Sequence, residues 1–265
     1  MSAQSATLFR DNFKEKLLAF AMHVGASFAV YLAFLLIVRF LWYPGFYYDV
    51  LNVQPILATL FVVDIVLGPL LTFVVYKKNK PRLKFDIGVI VAFQLAAFLY
   101  GGSVVYKERP LYLVYSIDRF VVVTANSIDP DVIVYPELKI NLPQIVATGL
   151  PEDLVEKENI MFGVMQGGPD IEYLPYLYRP VSNAKKQIED NGILVTELPK
   201  DILNELKKKR PHLISEKFKL FPMIPFKSGD QLLIWNMDEQ KMAGLIKKNP
   251  WNIIKQNNKK PDSLE

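Results

Sequence analysis

The sequence predicts a membrane protein with three N-terminal transmembrane helices followed by an exported α+β domain with terminal β-hairpins. The chain of 265 residues is 51% hydrophobic, and its mean hydropathy is +0.17 although 22% of the residues are charged. The apolar residues are concentrated in three long runs within the first 106 positions, whereas strand patterns and turn residues begin after that point. We therefore expect a membrane region followed by a globular domain.

The three apolar runs cover residues 20–42, 56–76 and 87–105 of a predicted transmembrane region 20–106. Each run has roughly twenty residues, enough to cross ~30 Å of hydrocarbon at ~1.5 Å per residue. The first is longer than the ~7–15 apolar residues of a cleaved signal peptide, so we interpret it as an uncleaved anchor. A buried helix of a soluble protein is the alternative, and three such runs in succession argue against it.

The cations predict how the helices are oriented. Lysine and arginine are frequent in the tail 1–19 and in the loop 77–84, and absent from 44–55. The positive-inside rule then places the tail and this loop in the cytoplasm and the chain from 107 onward on the opposite side. The first 106 residues hold 9 basic and 5 acidic residues, and the remainder holds 22 of each, so the net +4 belongs to the membrane region. We expect no nucleic-acid partner, which would need a basic face on the globular part.

The exported domain, residues 107–246, is predicted to have strands near both of its ends. Two pairs of short apolar segments are each joined by a turn, and the first pair is rich in valine, tyrosine and phenylalanine. The four segments are Leu111–Tyr115, Arg119–Thr124, Gln231–Asn236 and Lys241–Ile246. Each pair is typical of a β-hairpin.

Helices are predicted between the two hairpins. One has Ser182 as its N-cap and stops at Gly192, and another begins with Pro199 and ends before Pro211. Prolines spread over 136–180 predict short pieces and turns there, and the polar tail 247–265 is expected to be flexible.

Catalytic and metal chemistry finds little support in the composition. The chain has no cysteine and two histidines, His23 and His212, which are too few for a zinc site of the usual kind. The glycines of the segment 162–170 lack the Gly-Lys-Ser/Thr of a phosphate-binding loop, so we interpret them as a turn. We expect no enzyme, no metal and no cofactor.

One carboxylate, Asp64, lies within the second apolar run, in the segment FVVDIVLGPLLTF. At ~1.5 Å per residue, Asp64 lies about 18 Å from the cytoplasmic end of its helix. Counted in the same way along their own helices, Tyr31 lies about 16 Å and Tyr100 about 20 Å from the cytoplasmic end. Arg39 lies roughly 28 Å from the cytoplasmic end of its helix, and it reaches Asp64 only if its side chain points inward. Neither histidine lies at this depth.

Two interpretations of Asp64 stay open. A charge near the bilayer centre costs a few kcal/mol or more, so such a residue usually faces a partner. In the first, Asp64 locks the three helices together and is either held by Tyr31, Tyr100 or Arg39 or simply protonated. In the second, Asp64 contacts a partner helix or a proton. Gly68 and Pro69 favour an unusual helix here, because proline removes a backbone hydrogen bond and glycine permits close approach. A groove at this pair is a predicted place for another helix.

Several stretches of the sequence resemble one known family. They are WYPGF, VDIVLGPLLTFVVYKKNK, DIGVIVAFQLAAFLYG, RPLYLVYSIDRFVVV and LLIWNMDEQKMAGLI. They resemble the TfpX/TfpZ family of type IV pilin accessory proteins, and the similarity to this family is strongest from Trp42 to Val123.

The resemblance implies an inner-membrane protein of bacteria that make type IV pili. With the orientation predicted from the positive-inside rule, its N-terminus is cytoplasmic and its C-terminal domain periplasmic. The resemblance also implies a chaperone-like role for the type IV major pilin, and contact with other inner-membrane pilus assembly components. No catalytic residue comes with it. Two alternatives belong to other classes: a membrane-tethered periplasmic ligand sensor, and a small proton-coupled membrane protein using Asp64. Short cytoplasmic segments argue against a sensor, because they leave no room for an output domain. The proton-coupled alternative predicts that an Asp64→Asn variant loses function while its protein level stays normal.

Overall fold

The computed structural model describes residues 3–129, 143–225 and 229–257, with side chains from 12 to 253. The chain divides into two compact units, Met1–Arg109 and Pro110–Glu265. Each unit is built differently, the first from helices and the second around a β-sheet.

Three long helices make up the first unit. The second of them is composite, because a π-helical turn separates two α-helical halves. The elements are α1 (Ala3–Ile37) with a π-helical end (Val38–Trp42), α2 (Tyr47–Val50), α3 (Gln54–Phe61), the π-turn (Val62–Leu67), α4 (Gly68–Val75) and α5 (Leu83–Lys107). Three stretches are long and apolar enough to cross a membrane: Asn12–Trp42, Gln54–Val75 and Leu83–Lys107. The three predicted helices are confirmed, and the first begins earlier than predicted.

Aromatic contacts hold the three helices together. Phe20 of α1 meets Phe73 of α4 edge to face at 6.1 Å, and Phe34 of α1 meets Phe98 of α5 at 5.0 Å. The buried hydroxyl of Tyr43 donates a hydrogen bond of 2.7 Å to the carbonyl of Val105. Many large apolar side chains still point outward from these helices, as expected of a surface that lies in lipid.

The second unit contains one mixed eight-stranded sheet. Its strands are β1 (Pro110–Ser116), β2 (Arg119–Thr124), β3 (Gln144–Thr148), β4 (Arg179–Pro180), β5 (Ile193–Leu194), β6 (Phe218–Ile224), β7 (Gln231–Asn236) and β8 (Lys241–Ile246). Their order is β4-β3-β1-β2-β6-β7-β8, with β5 beside β6. The antiparallel pairs β1–β2 and β7–β8 confirm the two predicted hairpins, and β6 joins them by pairing in parallel with β2 and antiparallel with β7.

Both faces of the central strands are buried. On one face, Leu220 and Ile234 pack with Ile202 and Leu206 of the helix α8 (Lys200–Lys209). The other face carries a cluster of aromatic rings, defined by Tyr115, Phe120, Phe221 and Trp235. Successive residues of a strand point to opposite faces of the sheet. Strands with continuous apolar runs therefore supply side chains to the clusters on both faces.

A buried phenol fixes the region beside β1. Tyr178 lies 5.0 Å from Tyr112, ring centre to ring centre, and donates its hydroxyl to the carbonyl of Glu172 at 2.5 Å. Burial raises the pKa of Tyr178 well above its usual range, so the ring stays a neutral donor at this position.

The helices of this unit differ in part from the prediction. The helix α7 (Lys185–Asp190) ends before Gly192 as predicted, but it follows a 3₁₀ turn (Val181–Ala184), so Ser182 is not its N-cap. The helix α6 (Leu154–Met165) was not predicted, although Asp153 caps it by accepting from the backbone N–H of Glu156 at 2.8 Å.

The C-terminal tail also departs from the prediction. A helix α9 (Pro250–Asn257) occupies part of the predicted flexible tail, and its Ile253 is buried against the β-sheet core. Residues 258–265, and the predicted proline turn at Pro136, lie outside the described residues.

Candidate functional site

Asp64 lies in the π-helical turn of the second long helix and is 7% exposed. Its carboxylate oxygen Oδ2 is buried and has no hydrogen-bond partner within the described part of the chain. A buried polar group without a partner is costly, and in hydrocarbon no water replaces it. We therefore expect a binding partner to supply the missing hydrogen bond to Asp64.

The Gly-Pro pair and Gln94 explain how the backbone near Asp64 is satisfied. In the π-turn each N–H reaches back five residues, and the N–H of Gly68 donates to the carbonyl of Val63. The next donor in this series would be residue 69, but proline has no N–H, which leaves the carbonyl of Asp64 without it. The side-chain amide of Gln94, from α5, donates to that carbonyl at 3.1 Å instead.

Gly68 makes room for that contact. A Cβ atom built at Gly68 would overlap the side-chain amide of Gln94, so any larger residue displaces it. Gly68 and Pro69 are both buried inside the three-helix unit. The groove predicted at this pair is thus filled by the protein's own Gln94, a polar residue in the third apolar run that sequence reasoning overlooked.

The side chains predicted to hold Asp64 have other partners or face outward. Tyr31 donates its hydroxyl to the carbonyl of Leu57 at 3.1 Å, and Tyr100 is 75% exposed. The guanidinium of Arg39 lies over the ring of Tyr48, 5.4 Å from its centre. Residue counting gave Tyr31 and Tyr100 depths comparable with that of Asp64, but it could not show which face of its helix each side chain occupies.

A groove between α1 and α5 leads to Asp64, and we call it the Asp64 groove. It has a volume of about 360 Å³ and is lined by His23, Ala26, Ser27, Val30, Asp64, Val91, Gln94, Leu95, Phe98 and Leu99. His23, which the sequence analysis placed away from the depth of Asp64, lines the same groove and lies 2.7 Å from the hydroxyl of Thr72 through Nδ1. Among the described residues, no group of three or more His, Asp or Glu side chains could hold a metal ion.

Comparison with known proteins gives the family. The fimbrial assembly protein of serogroups C1 and C2 from Dichelobacter nodosus is 32% identical over 95 residues, which is 35% of this chain and 72% of that relative. The chain belongs to this family of fimbrial assembly proteins.

Two longer members of the fimbrial assembly family also match. The serogroup I protein of Dichelobacter nodosus is 35% identical over 95 residues, which is 35% of this chain and 37% of the relative. The serogroup E1 protein is 33% identical over 110 residues, which is 40% of this chain and 42% of the relative. The chain thus spans about two fifths of the length of these two relatives. No family model matches the chain, and no solved structure matches it.

A double-mutant cycle tests the Gly68–Gln94 contact. Gly68→Ala displaces the Gln94 amide, and we expect it to destabilise the helical unit by about 0.5–2 kcal/mol, the range for hydrogen bonds between membrane helices. In a Gln94→Ala background the same change should cost little, because the contact is already lost. Unfolding of the purified protein by SDS in mixed micelles measures each step.

Gly88→Ala is the matched control, since it lies in α5 and nothing lies within 4 Å of its Cβ position. It should leave stability unchanged or raise it slightly, because alanine favours helix over glycine. Equal costs of Gly68→Ala in both backgrounds would show that Gln94 does not support this turn.

Proposed function

We propose that this protein is an inner-membrane assembly factor for type IV fimbriae, of the TfpX/TfpZ kind, that holds the major pilin in the membrane before assembly. The role is non-catalytic and chaperone-like. The observation that carries the proposal is the family itself, whose members are named fimbrial assembly proteins. Other inner-membrane components of the pilus assembly machinery are the expected recipients of the held subunit.

The helical unit supports a membrane location. Three stretches are long and apolar enough to cross a bilayer, and their outward faces are rich in large apolar side chains. With basic residues concentrated in the loop 77–84, we place that loop and the N-terminus in the cytoplasm. The sheet unit is then periplasmic.

The sheet unit offers a second contact. In the part of the chain that the structure describes, β8 forms one edge of the sheet, next to β7 alone. Edge strands carry backbone groups that can pair with an added strand. We propose that this edge contacts the exported part of the pilin, while the helices contact its membrane helix.

Deletion and complementation test the proposed function. Removing the gene should lower the amount of pilin in the membrane and the number of surface fimbriae, with pilin mRNA unchanged. Reintroducing the full chain should restore both, and pilin should co-purify with it from detergent-solubilised membranes. Quantitative immunoblots of the membrane and sheared surface fractions measure these outcomes.

An unrelated inner-membrane protein, measured in the same strains, controls for general membrane damage. Normal surface fimbriae after deletion, together with the absence of pilin from the purified chain, would refute the proposed function.

A further inference from the structure

We propose that the Asp64 groove binds the membrane helix of the fimbrial subunit, and that this helix brings a hydrogen-bond donor to the carboxylate of Asp64. The inference rests on the proposed function, because it names the site at which the held subunit is recognised.

The groove has a shape that can bind a helix. Its α1 side is formed by residues 23, 26, 27 and 30, and its α5 side by 91, 94, 95, 98 and 99. Each set has the spacing of one helix face over about two turns, or ~11 Å along the helix axis. A groove between two such faces runs along the helices, and small residues such as Ala26 and Ser27 allow the backbone of another helix to approach closely.

The polarity of the groove specifies what the helix carries. Apart from Asp64, His23, Ser27 and Gln94, its lining is apolar, which suits a membrane-spanning partner. Asp64 is more than nine-tenths buried and lines this groove, and its Oδ2 has no partner within the described part of the chain. A carboxylate oxygen accepts hydrogen bonds, so the complementary group is a hydroxyl, amide or amine. A lipid acyl chain offers no such donor.

A second copy of this chain fits less well. Among the described residues of its three long helices, the hydroxyl-bearing side chains that face outward are those of Thr59, Tyr100, Ser103 and Tyr106. The hydroxyls of Thr59 and Ser103 already donate to backbone carbonyls, and Tyr106 lies further along α5 than Tyr100. Gln94 marks the level of Asp64 on α5, since the two are hydrogen-bonded, and Tyr100 lies six residues further along, or ~9 Å. Because two copies share one membrane orientation, the Tyr100 hydroxyl of a second copy would lie away from the level of Asp64. The donor is therefore assigned to a different protein.

Site-specific photocrosslinking in cells that make fimbriae tests the site. The photoreactive amino acid p-benzoylphenylalanine replaces Leu95 in the groove or, as the matched control on the same helix, Phe93, which is 74% exposed and does not line it. The Leu95 position should give an adduct with the fimbrial subunit that maps to its membrane helix. The Phe93 position should give little.

Variants of Asp64 then test the donor. Asp64→Leu in the crosslinking background should lower the adduct roughly three- to twentyfold at equal protein level, the effect of losing one hydrogen bond between membrane helices. Asp64→Asn keeps a carbonyl acceptor at this position and should retain more of the adduct than Asp64→Leu does.

The outcomes separate this inference from the proposed function. Equal adducts from both positions, an adduct with lipid or with a second copy, or a full adduct in Asp64→Leu would each overturn the groove assignment. If deletion of the gene still abolishes fimbriae in that case, the proposed function stands and the subunit is held elsewhere. If deletion has no effect on fimbriae and pilin is absent from the purified chain, the proposed function fails and the inference fails with it.

Discussion

Replacing Phe120 with alanine is expected to lower the free energy of unfolding of the sheet unit by about 3–5 kcal/mol, the usual cost of removing a buried phenylalanine ring. Phe120 is fully buried at the centre of the aromatic cluster. Its ring stacks on Trp235 at 5.0 Å and meets Phe221 edge to face at 5.5 Å. The substitution removes these contacts together and leaves a cavity between strands that cannot easily close.

Urea unfolding of the purified full-length protein, followed by the circular dichroism of the sheet unit, measures the loss. With a slope of ~1–3 kcal/mol per M, the unfolding midpoint should fall by roughly 1–5 M. Phe162→Ala is the matched control, because this ring is 62% exposed on α6. It should change stability by no more than about 0.5 kcal/mol. Similar midpoints for both variants would show that the aromatic cluster does not stabilise the sheet.

The strands and helices with strong local patterns could be predicted from the sequence. β2, β7 and β8 have their predicted bounds because alternating or continuous apolar runs ended by turn residues leave few other options. The pairing of β2 with β6 could not be predicted, since it joins segments about a hundred residues apart and no local signal encodes it. The helix α6 had a readable signal in Asp153, but none of its side chains is buried, so no apolar face marked it.

The surroundings of Asp64 were predictable only in part. The sequence showed an isolated carboxylate followed by Gly68 and Pro69, and it indicated an unusual helix there. It could not show that Gln94 fills the space at Gly68, because that contact depends on how α5 is rotated about its own axis. The same rotation decides that Tyr100 faces outward.

Gly192→Ala is the second substitution with a large expected effect. Gly192 follows α7 with a φ of +93°, a conformation that an alanine side chain rarely adopts. A Cβ built there would lie 2.5 Å from Cζ of the buried Phe221, well inside the ~3.5–4.0 Å of a normal carbon contact. Backbone strain and overpacking each cost about 1–3 kcal/mol, so we expect a loss of roughly 2–6 kcal/mol by urea unfolding.

Two further variants separate these costs. Gly167 has a similar φ of +89° with nothing within 4 Å of its Cβ position, so Gly167→Ala should show the backbone strain alone. In a Phe221→Leu background the aromatic ring is gone, and Gly192→Ala should then cost about as much as Gly167→Ala. If the cost stays unchanged in that background, the collision with Phe221 is not its source. In that event the positive φ of this glycine at a helix end accounts for the whole effect.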